Sequence, residues 1–155
     1  MYNIDDLKVV LATEEMADSL LEAIKLLPIE NSIFLDKMPN KKELLEFINN
    51  PMVYLFITYY KNDIMGYSMC YFRTSITADF HWGVCRKSKY ITRMIRDSFN
   101  ILKEMPVSFL GFVPSWNEKS EKISKMMGFK RVGTVPEYYH DKTDAILYHY
   151  KNEVK

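Results

Sequence analysis

The chain has 155 residues, of which 48% are hydrophobic and 14% aromatic, and this is enough apolar surface for one core. The composition excludes an intrinsically disordered chain and predicts a single domain over residues 1–155. Lysine and arginine number 21 against 20 aspartate and glutamate residues, so the net charge is +1, which excludes a generally cationic protein that coats nucleic acid.

The N-terminal residues predict a strand followed by a helix. The apolar run LKVVLA is typical of a short strand. Thr13 follows it and is expected to cap the helix, because Glu14 and Glu15 come next, in the first turn beside the positive end of the helix dipole. Pro28 should stop this helix. Its apolar face, at helical spacing, holds Met16, Leu20, Ile24 and Leu27.

A second helix and a hairpin follow. Asn40 with Glu43 three positions later has the pattern of a capping box. The apolar stripe of this helix holds Leu44, Phe47 and Ile48. The runs MVYLFITYY and GYSMCYFR are rich in aromatic and β-branched residues, and the turn KNDI near their junction predicts a β-hairpin.

The middle of the chain predicts a strand, a helix and a strand. ADFHWGV predicts a third strand, and VSFLGFV predicts a further, buried strand. Between them the pattern changes to the spacing of a helix that packs against a sheet and ends before Pro106. Its apolar positions are Ile91, Ile95, Phe99 and Leu102. Two strands joined through a helix are able to lie parallel and side by side.

The last third predicts a helix and two strands. Residues 117–127 form a short helix with Gly128 placed to end it in the left-handed conformation. Its inward side chains are expected to be Ile123, Met126 and Met127. FKRVGTV and DAILYHY then form strands around the loop PEYYHDK. The order is β-α-α-β-β-β-α-β-α-β-β, which predicts an α/β (α+β) fold with a mixed sheet and helices on both faces.

The cysteines and the hydropathy of the sequence indicate in which cellular compartment the protein is expected. Cys70 and Cys85 lack CxxC spacing and nearby histidine partners, which argues against a metal site and a disulfide scaffold. No apolar run approaches the ~18 residues of a membrane span, and the first thirty residues lack a basic leader with a long apolar core. We therefore expect a soluble, cytoplasmic protein without a metal.

The element order, together with SWNEKSEKISKMMGFKRVGTV, resembles the GNAT superfamily of acyl-CoA-dependent N-acyltransferases. The most specific piece runs from Asn117 through the short helix to Gly128 and Phe129. The resemblance implies a mostly antiparallel sheet of about seven strands, with a splay between strands 4 and 5 that holds acetyl-CoA. It also implies that the pyrophosphate lies on the N-terminus of the following helix, where backbone N–H groups and the helix dipole favour anions.

The stretch CRKSKYITRMIR occupies the place of the family's glycine-rich phosphate loop and departs from it. Lys87 falls on the leading Arg/Gln position, but Tyr90 and Thr92 stand where glycines should be. A tyrosine at the first glycine position would obstruct the pyrophosphate. Direct pairing with the phosphates would compensate for the missing glycines, and the candidates for it are Arg86, Lys87, Lys89 and Arg93. The bland alternative is a solvated charged face, although cations at a helix N-terminus oppose the dipole and require a partner.

Two further groups complete the implied cofactor site. The acyl carbonyl is usually polarised by a backbone N–H at the splayed end of the fourth strand, near Val84 and Cys85, and this needs no particular side chain. A thiol nucleophile at Cys85 is disfavoured, because direct transfer is usual in the family. The residues expected to contact the acetyl-CoA cosubstrate are Val84, Cys85, Lys87, Ser88, Lys89, Tyr90, Ile91, Thr92 and Asn117.

Catalytic groups are less defined. The family's general acid, a tyrosine, falls on Ser124, and a serine hydroxyl is a poor acid. Candidate bases are His81 and Asp79, which share one face of their strand, with His81 better placed and of suitable acidity. A hydrogen-bonded structural histidine is an equal alternative. The loop cluster Glu137, Tyr138, Tyr139 and His140 is a further candidate for the base or for shaping acceptor access.

Three functions follow from these observations. The first is an N-acetyltransferase or related acyltransferase that uses acetyl-CoA and a small-molecule or protein amine. The second is an inactive GNAT-like binding or structural module, of a kind found in phage genomes, with which the Lys, Asn, Ile and Tyr content is compatible. Nucleic-acid binding is disfavoured, since no motif accompanies the basic stretch. The C-terminal segment YYHDKTDAILYHY is expected to offer an edge for a homodimer.

Overall fold

The computed structural model describes residues 6–27, 33, 37–87 and 89–152. The elements follow the order expected from the sequence. The strands are β1 (Leu7–Leu11), β2 (Val53–Tyr60), β3 (Asp63–Phe72), β4 (Thr77–Val84), β5 (Ser108–Pro114), β6 (Lys130–Val135) and β7 (Ala145–Tyr150). The helices are α1 (Ala17–Ile24), α2 (Lys41–Ile48), α3 (Ile91–Leu102) and α4 (Glu118–Met126), and a 3₁₀ turn (Glu14–Met16) precedes α1.

The strands form one seven-stranded sheet in the order β1-β2-β3-β4-β5-β7-β6. The β4–β5 pair is parallel and the other neighbours are antiparallel, so the predicted mixed, mostly antiparallel sheet is confirmed. β7 lies between β5 and β6, and both of its sides are therefore hydrogen-bonded. The expectation that this C-terminal strand offers a free edge is wrong, because the sheet edges are β1 and β6.

Helices cover both faces of the sheet, as expected. Side chains alternate along β2, so Leu55 and Ile57 pack in a cluster with α1 and α2, whereas Phe56 packs in a second cluster with α3. The four apolar positions predicted for α3 are all buried. Each face therefore has its own apolar core, and the sheet separates the two.

Several local features agree with the sequence. In the capping box, the Glu43 N–H donates to Asn40 Oδ1 at 2.9 Å, and the Asn40 N–H donates to Glu43 Oε2 at 3.0 Å. Gly128 has a φ of 92° at the end of α4, as expected for a left-handed C-terminus. The hairpin turn is shorter than KNDI, because Asp63 already pairs with Tyr60 and only residues 61–62 form the turn.

Two expectations about helix ends and faces are wrong. The Thr13 side chain caps nothing, because the turn after it is 3₁₀ and the Met16 N–H donates to the Thr13 carbonyl at 3.0 Å. Met126 is 72% exposed, since the buried face of α4 runs through Ile123 and Ser124. The stop expected at Pro28 lies outside the described residues. No helix in the described ranges combines the length and the apolarity needed to cross a bilayer.

The feature that positions the candidate site is the divergence of β4 from β5. The two strands pair only from Thr77 opposite Ser108 to Asp79 opposite Leu110. Beyond this point β4 continues beside β3 as far as Val84, while β5 continues beside β7. The sheet therefore opens into a wedge between β4 and β5, as the resemblance implied.

Candidate active site between β4 and β5

The wedge holds a pocket of about 350 Å³, which we call the wedge pocket. This volume lies within the range of small-molecule sites, roughly 300–1,000 Å³. The end of β4, the start of α3 and the start of α4 meet around it. Its walls include Trp82, Val84, Cys85, Lys87, Ile91, Asn117, Lys119 and Ser120.

The end of β4 presents a backbone donor to this pocket. The Cys85 N–H donates to the Met65 carbonyl at 2.9 Å, on the β3 side. Because successive residues of a strand direct their N–H groups to opposite neighbours, the Val84 N–H points to the other side, where β5 has diverged. Of these two residues, Val84 is therefore the one whose backbone N–H faces the wedge.

Cys85 lines the pocket as an unreactive thiol. Its side chain is buried, and its pKa is raised to about 12. Burial raises this pKa, and the charge of the nearby Arg86 offsets only part of that effect. A thiolate is the nucleophilic form of cysteine, so this thiol stays protonated at neutral pH. The structure thus agrees with discounting Cys85 as a nucleophile.

The start of α3 meets the wedge pocket at Lys87 and Ile91. Tyr90 is the N-cap residue and its side chain makes no capping hydrogen bond. Neither Tyr90 nor Thr92 is among the residues that line the wedge pocket, so the tyrosine does not fill it. Ser88 lies outside the described residues.

Most cations of the basic stretch contact protein groups. Arg86 pairs with Asp63 at 3.5 Å, Lys89 lies over the Tyr90 ring at 5.1 Å, and Arg93 pairs with Asp97 at 3.3 Å. The wedge pocket receives Lys87 from this stretch. Of the four cations expected to pair with phosphates, Lys87 is the one that lines this pocket.

Lys119 and Ser120 are lining residues that the sequence analysis missed. Asn117 caps α4, with its Oδ1 accepting from the Ser120 N–H at 3.0 Å, and residues of this first turn line the wedge pocket. Lys119 thereby supplies a second cation, from α4, in addition to Lys87 from the α3 side. The signal was available, since both residues follow Asn117 within one turn.

Ser124 is not brought into the site. It is 2% exposed, lies on the core side of α4 beside Ile123, and does not line the wedge pocket or the two pockets described next. The position implied for a general acid thus faces the apolar core, whereas Ser120, one turn earlier, faces the wedge pocket.

A small pocket of about 20 Å³, which we call the passage, lies beside the wedge pocket. It shares Trp82, Asn117 and Ser120 with the wedge pocket. On its other side it shares Phe80, His81 and Phe112 with a second pocket of about 180 Å³, which we call the distal pocket. His81 therefore lies where the distal pocket meets the passage.

His81 is held by Tyr67, a residue that the sequence analysis missed. The Tyr67 hydroxyl lies 3.0 Å from His81 Nε2. Tyr67 is 2% exposed, and burial, with a smaller contribution from Cys85, raises the pKa of its phenol well above the usual value. The phenol therefore keeps its proton at neutral pH. The contact joins β3 to β4, so it depends on strand register, which the sequence does not display.

Asp79 shares the His81 face of β4, as expected, but it is paired. Arg73 Nη2 lies 2.6 Å from Asp79 Oδ2, and Arg73 Nε donates to the same oxygen at 2.7 Å. This hydrogen bond raises the pKa of Arg73 further. The guanidinium also lies 5.0 Å from the centre of the Tyr71 ring. Asp79 therefore holds Arg73 at the distal pocket, which leaves His81 as the better candidate base.

The loop 136–142 forms one wall of the distal pocket. Tyr138 stacks on Phe112 with ring centroids 4.8 Å apart and planes 2° from parallel. Tyr139 is buried and its hydroxyl donates to the Phe112 carbonyl at 3.2 Å. His140 is exposed and does not line the distal pocket. This loop therefore shapes access through its tyrosines.

No family model matches the chain, and no curated protein matches it in sequence. Solved structures match its fold. An acetyltransferase of the GNAT family from Streptococcus pneumoniae has a TM-score of 0.76 at 12% identity, over 93% of this chain and 98% of that one. The ribosomal-protein-S5-alanine acetyltransferase from Vibrio fischeri has a TM-score of 0.78 at 17% identity, over 99% of this chain and 97% of that one. Spermidine N-acetyltransferase from Vibrio cholerae, in complex with CoA and spermine, has a TM-score of 0.80 at 13% identity, over 96% of this chain and 96% of that one. The chain has the GNAT fold.

Proposed function

We propose that this GNAT-fold chain is a cytoplasmic, single-domain N-acyltransferase that transfers an acyl group from acetyl-CoA to an amine by direct attack. The observation that carries the proposal is the wedge between β4 and β5, because it combines a pocket, an unpaired strand amide and two cations at one opening in the sheet. The passage shares lining residues with both the wedge pocket and the distal pocket, which favours separate sites for two substrates that meet there.

The residues of the wedge fit the acyl-CoA end of the cosubstrate. The Val84 N–H points into the gap and is suited to polarise a thioester carbonyl, as an oxyanion donor does. Lys87 and Lys119 supply positive charge for phosphates, in place of the glycine-rich loop. The missing glycines at Tyr90 and Thr92 are tolerated because neither side chain lines the pocket.

The acceptor amine enters from the distal pocket and reaches the carbonyl through the passage. His81 lies at the meeting point and takes the proton that the amine loses as it attacks. Negative charge on the carbonyl oxygen is held by the Val84 N–H. Ser120, whose hydroxyl side chain belongs to both wedge pocket and passage, is the nearest candidate to donate a hydrogen bond to the departing thiolate.

Calorimetric titration with acetyl-CoA tests the cosubstrate site. We expect saturable binding by the wild type and roughly tenfold or more weaker binding by the Lys87→Glu, Lys119→Glu double variant, since each reversal removes a charge-assisted contact. Lys122→Glu is the matched control, because Lys122 is an exposed lysine of α4 that does not line the wedge pocket. Absence of binding by the wild type, or equal weakening by the control, contradicts the proposal.

A second candidate is a GNAT-fold binding module without catalysis. The burial of Ser124 supports it, because the position implied for the general acid has no access to the wedge. Thiol release from acetyl-CoA in the presence of amines separates the two functions. A module that binds acetyl-CoA releases no thiol above the buffer rate, whereas the enzyme does, and His81→Gln suppresses that release.

A further inference from the structure

The distal pocket carries information about the amine. Its walls among the described residues are mainly apolar and aromatic, with Met69, Tyr71, Phe80, Phe112 and Tyr138 around His81. The Phe112–Tyr138 stack is parallel to within 2°, and Tyr139 braces it through its hydrogen bond to the Phe112 carbonyl. This wall is flat and held in place. A flat ring gains from packing against such a surface.

Among the described residues that line this pocket, one positive and one negative charge pair with each other. The carboxylate among the described lining residues is Asp79, whose side chain is 13% exposed, and Arg73 binds it at 2.6 Å. A ligand with two or three ammonium groups would meet the Arg73 cation and no uncommitted carboxylate in this part of the wall. Unlike a polyamine, a ligand with one amine brings a single positive charge, and it places that amine at His81, where a neutral imidazole accepts a hydrogen bond from it.

The sizes of the distal pocket and the passage also limit which amine fits. The pocket measures about 180 Å³, and the passage about 20 Å³. Apolar cavities of about 150 Å³ hold a benzene-sized molecule. A single ring therefore fits the distal pocket, and only a narrow group such as a primary amine on a short alkyl arm fits the passage beside His81.

We propose that the acceptor is a small primary monoamine that carries one aromatic ring on a short alkyl arm. Its ring lies against the Phe112–Tyr138 wall and its amine reaches His81 at the passage. The inference rests on the proposed function for the transfer step, but the binding of the ring and the preference for a single charge are properties of the distal pocket alone.

Binding is tested first, with 2-phenylethylamine and spermidine as the probes, each titrated into the protein without acetyl-CoA. We expect 2-phenylethylamine to bind, spermidine to bind roughly tenfold or more weakly, and Tyr138→Ala to remove most of the difference. Tyr54→Ala is the matched control, because Tyr54 is a partly exposed tyrosine of β2 that does not line the distal pocket. Tighter binding of spermidine, or no binding of 2-phenylethylamine, overturns the inference.

A charge variant gives a second test. Arg73→Gln leaves the Asp79 carboxylate without its partner, so spermidine should gain affinity while 2-phenylethylamine changes little. An unchanged ratio between the two amines contradicts the role assigned to the ion pair. Thiol release with both amines then tests transfer. Binding of 2-phenylethylamine without thiol release would defeat the proposed function and leave the amine site standing, whereas release with spermidine alone would do the reverse.

Discussion

The contact between Tyr67 and His81 sets the proton chemistry of the passage. The Tyr67 hydroxyl oxygen lies 3.0 Å from Nε2 and is suited to accept the Nε2 proton, which leaves the lone pair that a general base requires on Nδ1. The sequence indicated His81 and Asp79 through alternation along one strand. It did not indicate Tyr67 or Arg73, because their contacts join β3 and the turn after it to β4, and the folded sheet alone sets that register.

Tyr67→Phe should leave acetyl-CoA binding unchanged and lower kcat/KM, by less than the loss of His81 does. The physical reason is that the variant removes the acceptor that holds the His81 proton on Nε2, so the tautomer with a lone pair on Nδ1 is no longer favoured. The kcat/KM is measured by thiol release. His81→Gln should instead lower the rate roughly a hundredfold or more at every pH. A kcat/KM of Tyr67→Phe equal to that of the wild type contradicts this role for the phenol.

The end of β4 depends on a close approach by β3. Gly66 pairs with Val84, and a Cβ at Gly66 would lie 2.4 Å from the Gly83 carbonyl oxygen and 3.3 Å from Val84 Cα. Only a residue without a side chain fits here. The backbone that carries the Val84 N–H is thus positioned by a glycine on the neighbouring strand.

Gly66→Ala should lower the free energy of unfolding by about 1–3 kcal/mol and weaken acetyl-CoA binding, because the end of β4 must shift away from β3. Gly133→Ala is the control, since a Cβ at Gly133 meets nothing within 4 Å, and it should change stability by less than about 0.5 kcal/mol. Urea unfolding measures both. Equal effects of the two substitutions would show that the β3–β4 approach does not position the wedge.

The spacing of apolar residues predicted an element well where that element has a continuous apolar face. The stripe of α3 is fully buried, and the order of strands and helices follows from such patterns. It predicted less where an element is short, and Met126 is exposed because α4 has only nine residues and a narrow contact face. The wedge itself came from the family resemblance, since apolar alternation in β4 and β5 does not say where their pairing stops.

Each of the two apolar cores contains a buried cysteine whose thiol is protonated. Cys70 and Cys85 lie in different clusters, and burial raises the pKa of each from an ordinary 9.0 to about 12. The unfolded chain releases these protons from about pH 9, so above that pH it binds fewer protons than the folded chain. Stability therefore falls as pH rises through this window.

The free energy of unfolding should fall by roughly 1 kcal/mol per thiol between about pH 7 and about pH 10, with Tyr67 adding to the loss at higher pH. Urea unfolding at the two pH values measures the change. In the Cys70→Ala, Cys85→Ala double variant the fall should be smaller, although its stability at neutral pH is lower because two core side chains are shortened. The same fall in both proteins would assign alkaline destabilisation to other groups.

The central claim is that acyl-CoA binds in the wedge between β4 and β5, and Trp82 gives it a direct test. Trp82 lines the wedge pocket and the passage, and the other tryptophan, Trp116, is 53% exposed and lines neither. In a Trp116→Phe variant, titration with acetyl-CoA should change the Trp82 emission saturably, over the concentrations at which calorimetry detects binding. The Lys87→Glu, Lys119→Glu substitutions should shift that curve to higher concentration. Calorimetric binding without any change in Trp82 emission would contradict the account.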